Sequence, residues 1–254
     1  MTEEKKKVII VLPAYNAEKT LRQTVAEIPA EYRENVILVD DCSADRTLPL
    51  AQELGLEYAA HEKNLGYGGN QKTCYRLALE KGAEIIVMLH PDYQYDPQFI
   101  PYLVDPIKNG HFDLMLGSRM TSRQEVLAGG MPLYKYISNR FLTLFENVIL
   151  GLSLSEFHTG YRAYSREALE KMAFEKNSND FVFDSEILIQ ASYHKLKIGE
   201  IFVPTKYFPE ASIINFKRSL IYGLQTLWTL VKYLSTKSGF YKFSIFSSEK
   251  NSRL

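Results

Sequence analysis

Val8–Leu12 reads V-I-I-V-L, an apolar run with no polar residue inside it. A strand with one wet face alternates apolar and polar residues, whereas a strand buried on both faces does not. A chain opening on such a run needs helices to cover both faces of a sheet, and the pattern that follows supplies them. Glu18–Ile28 places Leu21, Val25 and Ile28 at helical spacing and stops before Pro29. Val36–Val39 is a second strand ending in Asp40-Asp41, and Asp45 caps a helix running through Leu56. Residues 57–60 form a short third strand, and Gln71–Lys81 a helix that ends at Gly82. Ile85–Leu89 is a central strand and Asp113–Leu116 another. Strands and helices alternating in this way predict βαβ units, hence an α/β fold with a mostly parallel sheet.

The second half is more helical. Met131–Leu150 is a long helix introduced by Gly129-Gly130 and closed by Gly151, and Thr159–Tyr164 a short turn or strand. Helices over Ser165–Phe174 and Phe183–Tyr193 precede a strand at Ile198–Val203. Ser212–Leu234 is helical again, with Ile213, Phe216, Leu220, Leu224, Leu227, Val231 and Leu234 forming an apolar stripe. The stripe packs on the rest of the chain or on a second subunit, making a homo-oligomer, or it lies on a membrane. Lys217, Arg218 and Trp228 favour peripheral contact with anionic lipid, and Phe240, Tyr241, Phe243, Ile245 and Phe246 would then insert shallowly. Ser247–Leu254 is polar and expected to fray.

Composition removes several classes. Lys+Arg and Asp+Glu are 30 each, so no net charge favours broad nucleic-acid binding. Cys42 and Cys74 cannot build a disulfide framework and suit a reducing compartment. No run approaches the ~18 apolar residues of a membrane span. Val8–Leu12 is short and lacks a small-residue cleavage site, so it reads as a strand and not a signal peptide. The expected location is the cytoplasm, at the inner face of the cytoplasmic membrane.

Polar residues gather where strands end, which is where open α/β sheets bind ligands. Asp40-Asp41 can accept hydrogen bonds from a ribose or a base edge, and equally can cap a helix and turn a loop. In Asn64-Leu65-Gly66-Tyr67-Gly68-Gly69-Asn70 the glycines admit close backbone approach, and the helix that follows favours anions at its start. The spacing is not G-x-G-x-x-G, and a plain turn accounts for it more simply. His90, Asp92 and Gln94 share one face if that segment stays extended. Their oxygen donors suit Mg2+ or Mn2+, and the imidazole suits Mn2+ better.

Taken as a set, these segments resemble family-2 glycosyltransferases. The resemblance rests on Val11–Asn16 (VLPAYN), Val39–Thr47 (VDDCSADRT), Asn64–Gly66 (NLG) and Met88–Pro97 (MLHPDYQYDP). It continues through Gly117–Arg119 (GSR), Thr159–Arg166 (TGYRAYSR) and Asp184–Glu186 (DSE). Order and spacing are similar to the dolichyl- or polyprenyl-phosphate sugar transferase branch, over residues 7–220. The resemblance implies a GT-A fold over 1–210, with a nucleotide-sugar half at 1–120 and an acceptor half at 121–210. An amphipathic helical extension and polar tail then occupy 211–254. It also implies a UDP- or GDP-sugar donor, a divalent metal (Mn2+ or Mg2+) and inverting transfer to a lipid phosphate.

By position, Pro13, Ala14, Tyr15 and Asn16 would line the nucleotide pocket, with Asn64 and Gly66 beside it, and Asp40 and Asp41 would meet base and ribose. Asp92 would hold the metal with Gln94 and His90, and Arg119 would face the charge developing on the diphosphate. Arg162 either anchors a phosphate or pairs with Glu156 or Glu186. Glu186, with Asp184, stands where the wider family keeps an acidic base, although an ionised phosphate acceptor needs none. The sequence departs from the branch at His90, where the metal motif has its first Asp, and at Glu156, where an Asp is usual. Two rivals follow: a transferase with a soluble saccharide or protein acceptor, and a sugar-nucleotide-binding protein of reduced activity.

Overall fold

The computed structural model of the chain describes residues 6–120, 122–205 and 216–247. Seven strands form one sheet in the order β3-β2-β1-β4-β6-β5-β7. β1 (Val8–Ala14) runs parallel to β2 (Val36–Asp40) and β4 (Ile85–Met88), with Val11 between Ile37 and Met88. β3 (Glu57–Ala60) extends this parallel set beyond β2. β5 (Leu114–Ser118) and β7 (Ile198–Phe202) form a second parallel pair. The two sets are joined by one antiparallel strand, β6 (Arg162–Ser165), which pairs with β4 on one side and β5 on the other.

Alternate residues of β1 enter opposite cores, as its unbroken apolar run requires. Ile10 and Leu12 pack with α1 (Leu21–Glu27), α2 (Thr47–Glu53) and α4 (Ile100–Lys108). Ile9 and Val11 pack into the core that takes α3 (Tyr67–Glu80), α7 (Arg166–Lys171) and α8 (Phe183–Tyr193). Burying each such side chain contributes roughly 1.5–3 kcal/mol. α5 (Arg123–Ala128) and α6 (Leu133–Leu150) follow β5, and α6 ends at Gly151 in the left-handed region (φ 71°). α9 (Phe216–Lys237) packs against α6 and α8.

Three local differences have physical causes. α3 begins at Tyr67 and not Gln71, because the glycines lie inside its first turn. α4 was not anticipated: Pro101 stands in its first turn, where no helical N–H is lost, and Pro106 in its last. After α9 the chain turns back, so Ile245 and Phe246 are buried, with Phe246 against Tyr193 and Tyr233. Those two residues therefore do not insert into a membrane, while Phe240 and Tyr241 stay exposed. The boundary expected at 210, the start of the last helix at Ser212, and residues 248–254 lie outside the described residues.

The first turn of α3 has no space for side chains. A Cβ on Gly68 would come 2.4 Å from the Ser178 carbonyl oxygen and 2.9 Å from the Phe183 Cβ. Gly223, inside α9, would meet only Leu142, at 3.6 Å. We predict that Gly68→Ala destabilises the chain by ~1–3 kcal/mol through overpacking, whereas Gly223→Ala stabilises it by roughly 0.5–1 kcal/mol. Urea denaturation of both variants measures this, and equal effects would contradict the packing described.

Candidate active site

The loops after β1 and β2 are laced together at the carboxyl edge of the sheet. The Asn16 N–H donates to Ser43 Oγ (2.9 Å), its Oδ1 accepts from the Ala44 N–H (2.9 Å), and the Ala17 N–H donates to Thr47 Oγ1 (2.7 Å). These bonds hold Asn16 at a φ of 53°. Pro13 and Ala14 end β1, and Tyr15 projects to solvent. Asp40 is buried, and its Oδ2 accepts from the Ser43 N–H at 3.0 Å. Its Oδ1 is buried with no hydrogen-bond partner among the described residues. A buried acceptor left without a donor costs about 1–3 kcal/mol, and an N–H on a base edge would satisfy it.

Asp41 does something else. It accepts from the Leu65 N–H (2.8 Å), the Gly66 N–H (3.0 Å) and His61 Nδ1 (2.7 Å). Asn64 bonds the Asp41 carbonyl oxygen (3.2 Å) and the Gly66 N–H (3.0 Å). The N–H groups of Gly68 and Gly69 both point at the Asn179 carbonyl oxygen, at 2.8 and 3.4 Å. The glycines therefore admit a neighbouring stretch of backbone, not an anion. Asp41, Asn64 and Gly66 build this loop with the groups expected to meet ligand.

Beside these loops opens a cavity that is continuous with solvent. His90, Asp92 and Gln94 line it, with Tyr67, Arg119 and Asp184. α6 contributes Lys135 and Asn139, and α9 contributes Ser219 and Tyr222. The chain after β4 does not stay extended. It turns at Pro91-Asp92, Tyr93 has a φ of 58°, and Asp92 Oδ1 accepts from the Gln94 N–H at 3.1 Å. A turn, not a shared strand face, thus brings His90, Asp92 and Gln94 to one wall. No cluster of three His, Cys, Asp or Glu that could hold a metal by itself exists among the described residues. One carboxylate with an amide and an imidazole suits a divalent cation that takes further oxygens from substrate phosphates. The His90 ring stacks on Tyr67, and burial lowers its pKa.

On another wall, Arg119 Nε donates to Glu156 Oε1 (2.9 Å) and Nη2 to the His158 carbonyl oxygen (3.0 Å). Glu156 is fully buried and also accepts from Asn139 Nδ2 at 2.9 Å. Burial alone would raise its pKa, but the charge and N–H groups of Arg119 outweigh this and hold the carboxyl below the usual range. Lys135, which no sequence pattern marks, has no hydrogen bond or ion pair at its ammonium among the described residues. Burial, then the charge of Arg119, pushes its pKa down to about 8.

Two expectations are corrected. Asp184 and Glu186 stand about 200° apart around α8, so only one of them faces the cavity. That one is Asp184, which accepts from Tyr67 Oη (2.7 Å) and Gln71 Nε2 (3.2 Å). Glu186 is outside the cavity and accepts from the Ser178 N–H at 2.6 Å. Arg162 has no exposed surface for a phosphate and pairs with neither Glu156 nor Glu186. Its guanidinium donates to the carbonyl oxygens of Phe157 (2.9 Å), Thr159 (2.7 Å) and Asp184 (2.9 Å).

Residues 9–173 match the family described as glycosyl transferase family 2. The chain belongs to that family. It is similar to the UDP-N-acetylglucosamine–dolichyl-phosphate N-acetylglucosaminyltransferase of Methanococcus voltae, with 31% identity over 80% of this chain and 86% of that one. It is also similar to an uncharacterized protein of Methanocaldococcus jannaschii, at 32% over 89% and 92%. Among solved structures it resembles glucosyl-3-phosphoglycerate synthase from Mycobacterium tuberculosis in complex with Mn2+, UDP-glucose and phosphoglyceric acid. There the TM-score is 0.70 and identity 20%, covering 90% of this chain and 80% of that one, which shows a shared GT-A fold. The chain is thus a glycosyltransferase.

Beneath the transferase's cavity lies a second set of buried polar groups. Glu146 of α6 is fully buried, with Oε2 3.3 Å from His158 Nε2. Burial raises the Glu146 pKa well above the carboxylate range, outweighing Ser185 and Arg162, which act to lower it. Burial pushes His158 down to about 3. Both shifts favour the uncharged forms. The folded chain keeps a proton on Glu146 that the unfolded chain releases above its ordinary value of 4.5, so this group's contribution to stability is lost as pH rises beyond that value. Glu146→Gln keeps the neutral shape and cannot ionise. Its melting temperature relative to wild type should climb as the pH rises above the ordinary carboxylate value of 4.5. A gap that stays constant across a thermal-denaturation series in pH would show that Glu146 is ionised in the fold.

Proposed function

We propose that this transferase moves a sugar from a UDP- or GDP-sugar to the phosphate of a polyprenyl- or dolichyl-type lipid, inverting the anomeric carbon. The observation that carries the reading is a cavity with two places for an anion. Asp92, Gln94 and His90 would hold a divalent cation that neutralises a diphosphate, and the Lys135 ammonium beside Arg119 serves a second phosphate. The dolichyl-phosphate enzyme of M. voltae supports the acceptor class, and the mycobacterial complex with Mn2+ and UDP-glucose supports the donor.

Asp40 accepts a base N–H on its open Oδ1, and Pro13, Ala14, Tyr15 and Asn16 wall the nucleotide. An acceptor phosphate oxygen forms its bond to the anomeric carbon as the bond from that carbon to the diphosphate oxygen breaks. The bonding electron pair leaves with the nucleoside diphosphate. Arg119 faces that developing charge while Glu156 fixes its direction. Asp92, with Gln94 and His90, would hold a divalent cation, which when bound supplies neutralisation of the leaving diphosphate. The acceptor phosphate is already ionised, so no side chain has to remove a proton. Asp184 in the cavity favours one second reading, transfer to a saccharide hydroxyl with Asp184 as base.

Asp92→Asn should cut transfer by ~100-fold or more with the fold intact. Lys135→Ala should raise the KM for polyprenyl phosphate roughly tenfold to a hundredfold, the range for losing a charge-assisted hydrogen bond, and leave the donor KM unchanged. Radiolabelled transfer to polyprenyl phosphate and to soluble saccharides decides between the readings. Product on saccharides alone would reject the lipid acceptor.

Membrane contact belongs to the same reading. α6 exposes Ile137, Phe141, Leu144 and Val148, and α9 exposes Leu220, Leu224, Trp228 and Val231. The two helices carry Lys135, Arg140, Lys217, Arg218, Lys232 and Lys237 against one acid, the buried Glu146. No described helix is long and apolar enough to cross a membrane. An apolar face rimmed by cations fits the surface of an anionic bilayer. The chain should float with anionic liposomes at low salt and less so at high salt, and Phe141→Glu/Trp228→Glu should stay at the bottom of the gradient. Wild-type protein remaining at the bottom at low salt would assign the face to a protein partner.

A further inference from the structure

His158 touches both the cavity and the helices beside it, through different atoms. Its carbonyl oxygen accepts from Arg119 Nη2 at 3.0 Å. Its ring is held by α9, with Tyr222 Oη 2.6 Å from Nδ1 and the two rings packed edge to face. Tyr222 Oη is also 2.8 Å from Ser185 Oγ on α8, and Thr226, one turn along α9, donates to that same hydroxyl at 3.2 Å. On the far side of the imidazole stands Glu146 of α6. The segment 156–158 therefore meets Arg119 twice, through the Glu156 carboxylate and the His158 carbonyl, while its ring is bonded by α9 and lies against Glu146 of α6.

We propose that Tyr222 is a positioning residue for the transfer step, setting the direction of the Arg119 guanidinium through His158, so that the seating of α9 governs the donor site. The inference rests on the reading above in which Arg119 faces the leaving diphosphate. A displacement of α9 carries the Tyr222 hydroxyl with it, and the bonded imidazole must either follow or lose a short hydrogen bond. Following moves the His158 backbone, and with it one of the acceptors that orient Arg119. The apolar face of α9 lies on the same helix, so whatever covers that face also fixes the helix that carries Tyr222. The buried hydrogen bonds give this coupling a definite state, because groups in such a network are costly to leave unpaired.

The test is Tyr222→Phe in the full chain, which keeps the ring and removes the hydroxyl. The Arg119 Nε–H resonance, assigned by its loss in Arg119→Lys, should shift. kcat should fall by ~10- to 100-fold, as expected when a reacting group is misplaced, while the dissociation constant for the nucleotide sugar stays unchanged. Arg119→Lys/Tyr222→Phe should be no slower than Arg119→Lys alone, because the two act on one chain of contacts. Gln225→Ala, also on α9, controls for general loosening of the helix and should move neither the resonance nor kcat. An Arg119 resonance that does not move in Tyr222→Phe overturns the proposal, as does a rate loss that adds to that of Arg119→Lys. If wild-type protein transfers nothing to lipid phosphate, the acceptor assignment fails, and the Arg119 resonance still decides the coupling.

Discussion

A guanidinium with no exposed surface holds up the floor of the cavity. Arg162 begins the antiparallel strand β6, and its side chain donates to the carbonyls of Phe157, Thr159 and Asp184. Burial alone would favour the neutral guanidine, but Asp184 and nearby tyrosine oxygens outweigh this and the group stays charged. A buried charge is tolerated only when paired and hydrogen-bonded, and removing its partners costs several kcal/mol. The chain from 156 to 160 is therefore bound to the start of α8. Glu156, His158 and Asp184 are placed by this single contact, and Arg119 is placed in turn by Glu156 and His158.

The two sides of the cavity are built by different means. On one side, short loops are fixed by side-chain bonds to backbone N–H groups, as with Asp41 on Leu65 and Gly66 or Asn16 on Ala44. Such bonds leave little freedom and suit a ligand part that recurs in every turnover. On the other side the wall comes from α6 and α9, long helices whose outer faces are apolar and whose inner faces carry polar groups such as Lys135, Asn139 and Tyr222. Helices can shift as units, and a long or varied acceptor can be met by such a wall without refolding a loop.

Most of the sheet was legible because strands buried on both faces leave unbroken apolar runs, and β1, β2, β4 and β5 do so. α4 was hidden by two prolines that the helix accommodates near its ends, and the start of α3 by glycines that look like a loop. At the site, His90, Asp92 and Gln94 were found through their position after a central strand, although the local turn was not. The choice between Asp184 and Glu186 depends on the phase of α8 against the sheet, which the sequence does not state. Arg162 looked like a phosphate ligand because a lone Arg on a turn carries no mark of burial. Lys135 was missed because one cation on an amphipathic helix resembles any other. Its significance comes from Arg119, a neighbour supplied by a different part of the chain.

The sheet's one reversed strand also bears on the order in which the protein can assemble as it is made. β1, β2, β3 and β4 pair only among themselves until residue 162 is available. β5 ends at Ser118, yet both of its partners come later, β6 at Arg162–Ser165 and β7 at Ile198–Phe202. Through the synthesis of more than forty residues β5 therefore has no strand to pair with, and β4 keeps an open edge. A chain stopped before β6 would expose the unpaired β5 and the open edge of β4, the kind of edge that recruits other chains. The joining of the two strand sets and the support of the cavity floor thus depend on the same strand, because the arginine that begins β6 is also the one that holds that floor.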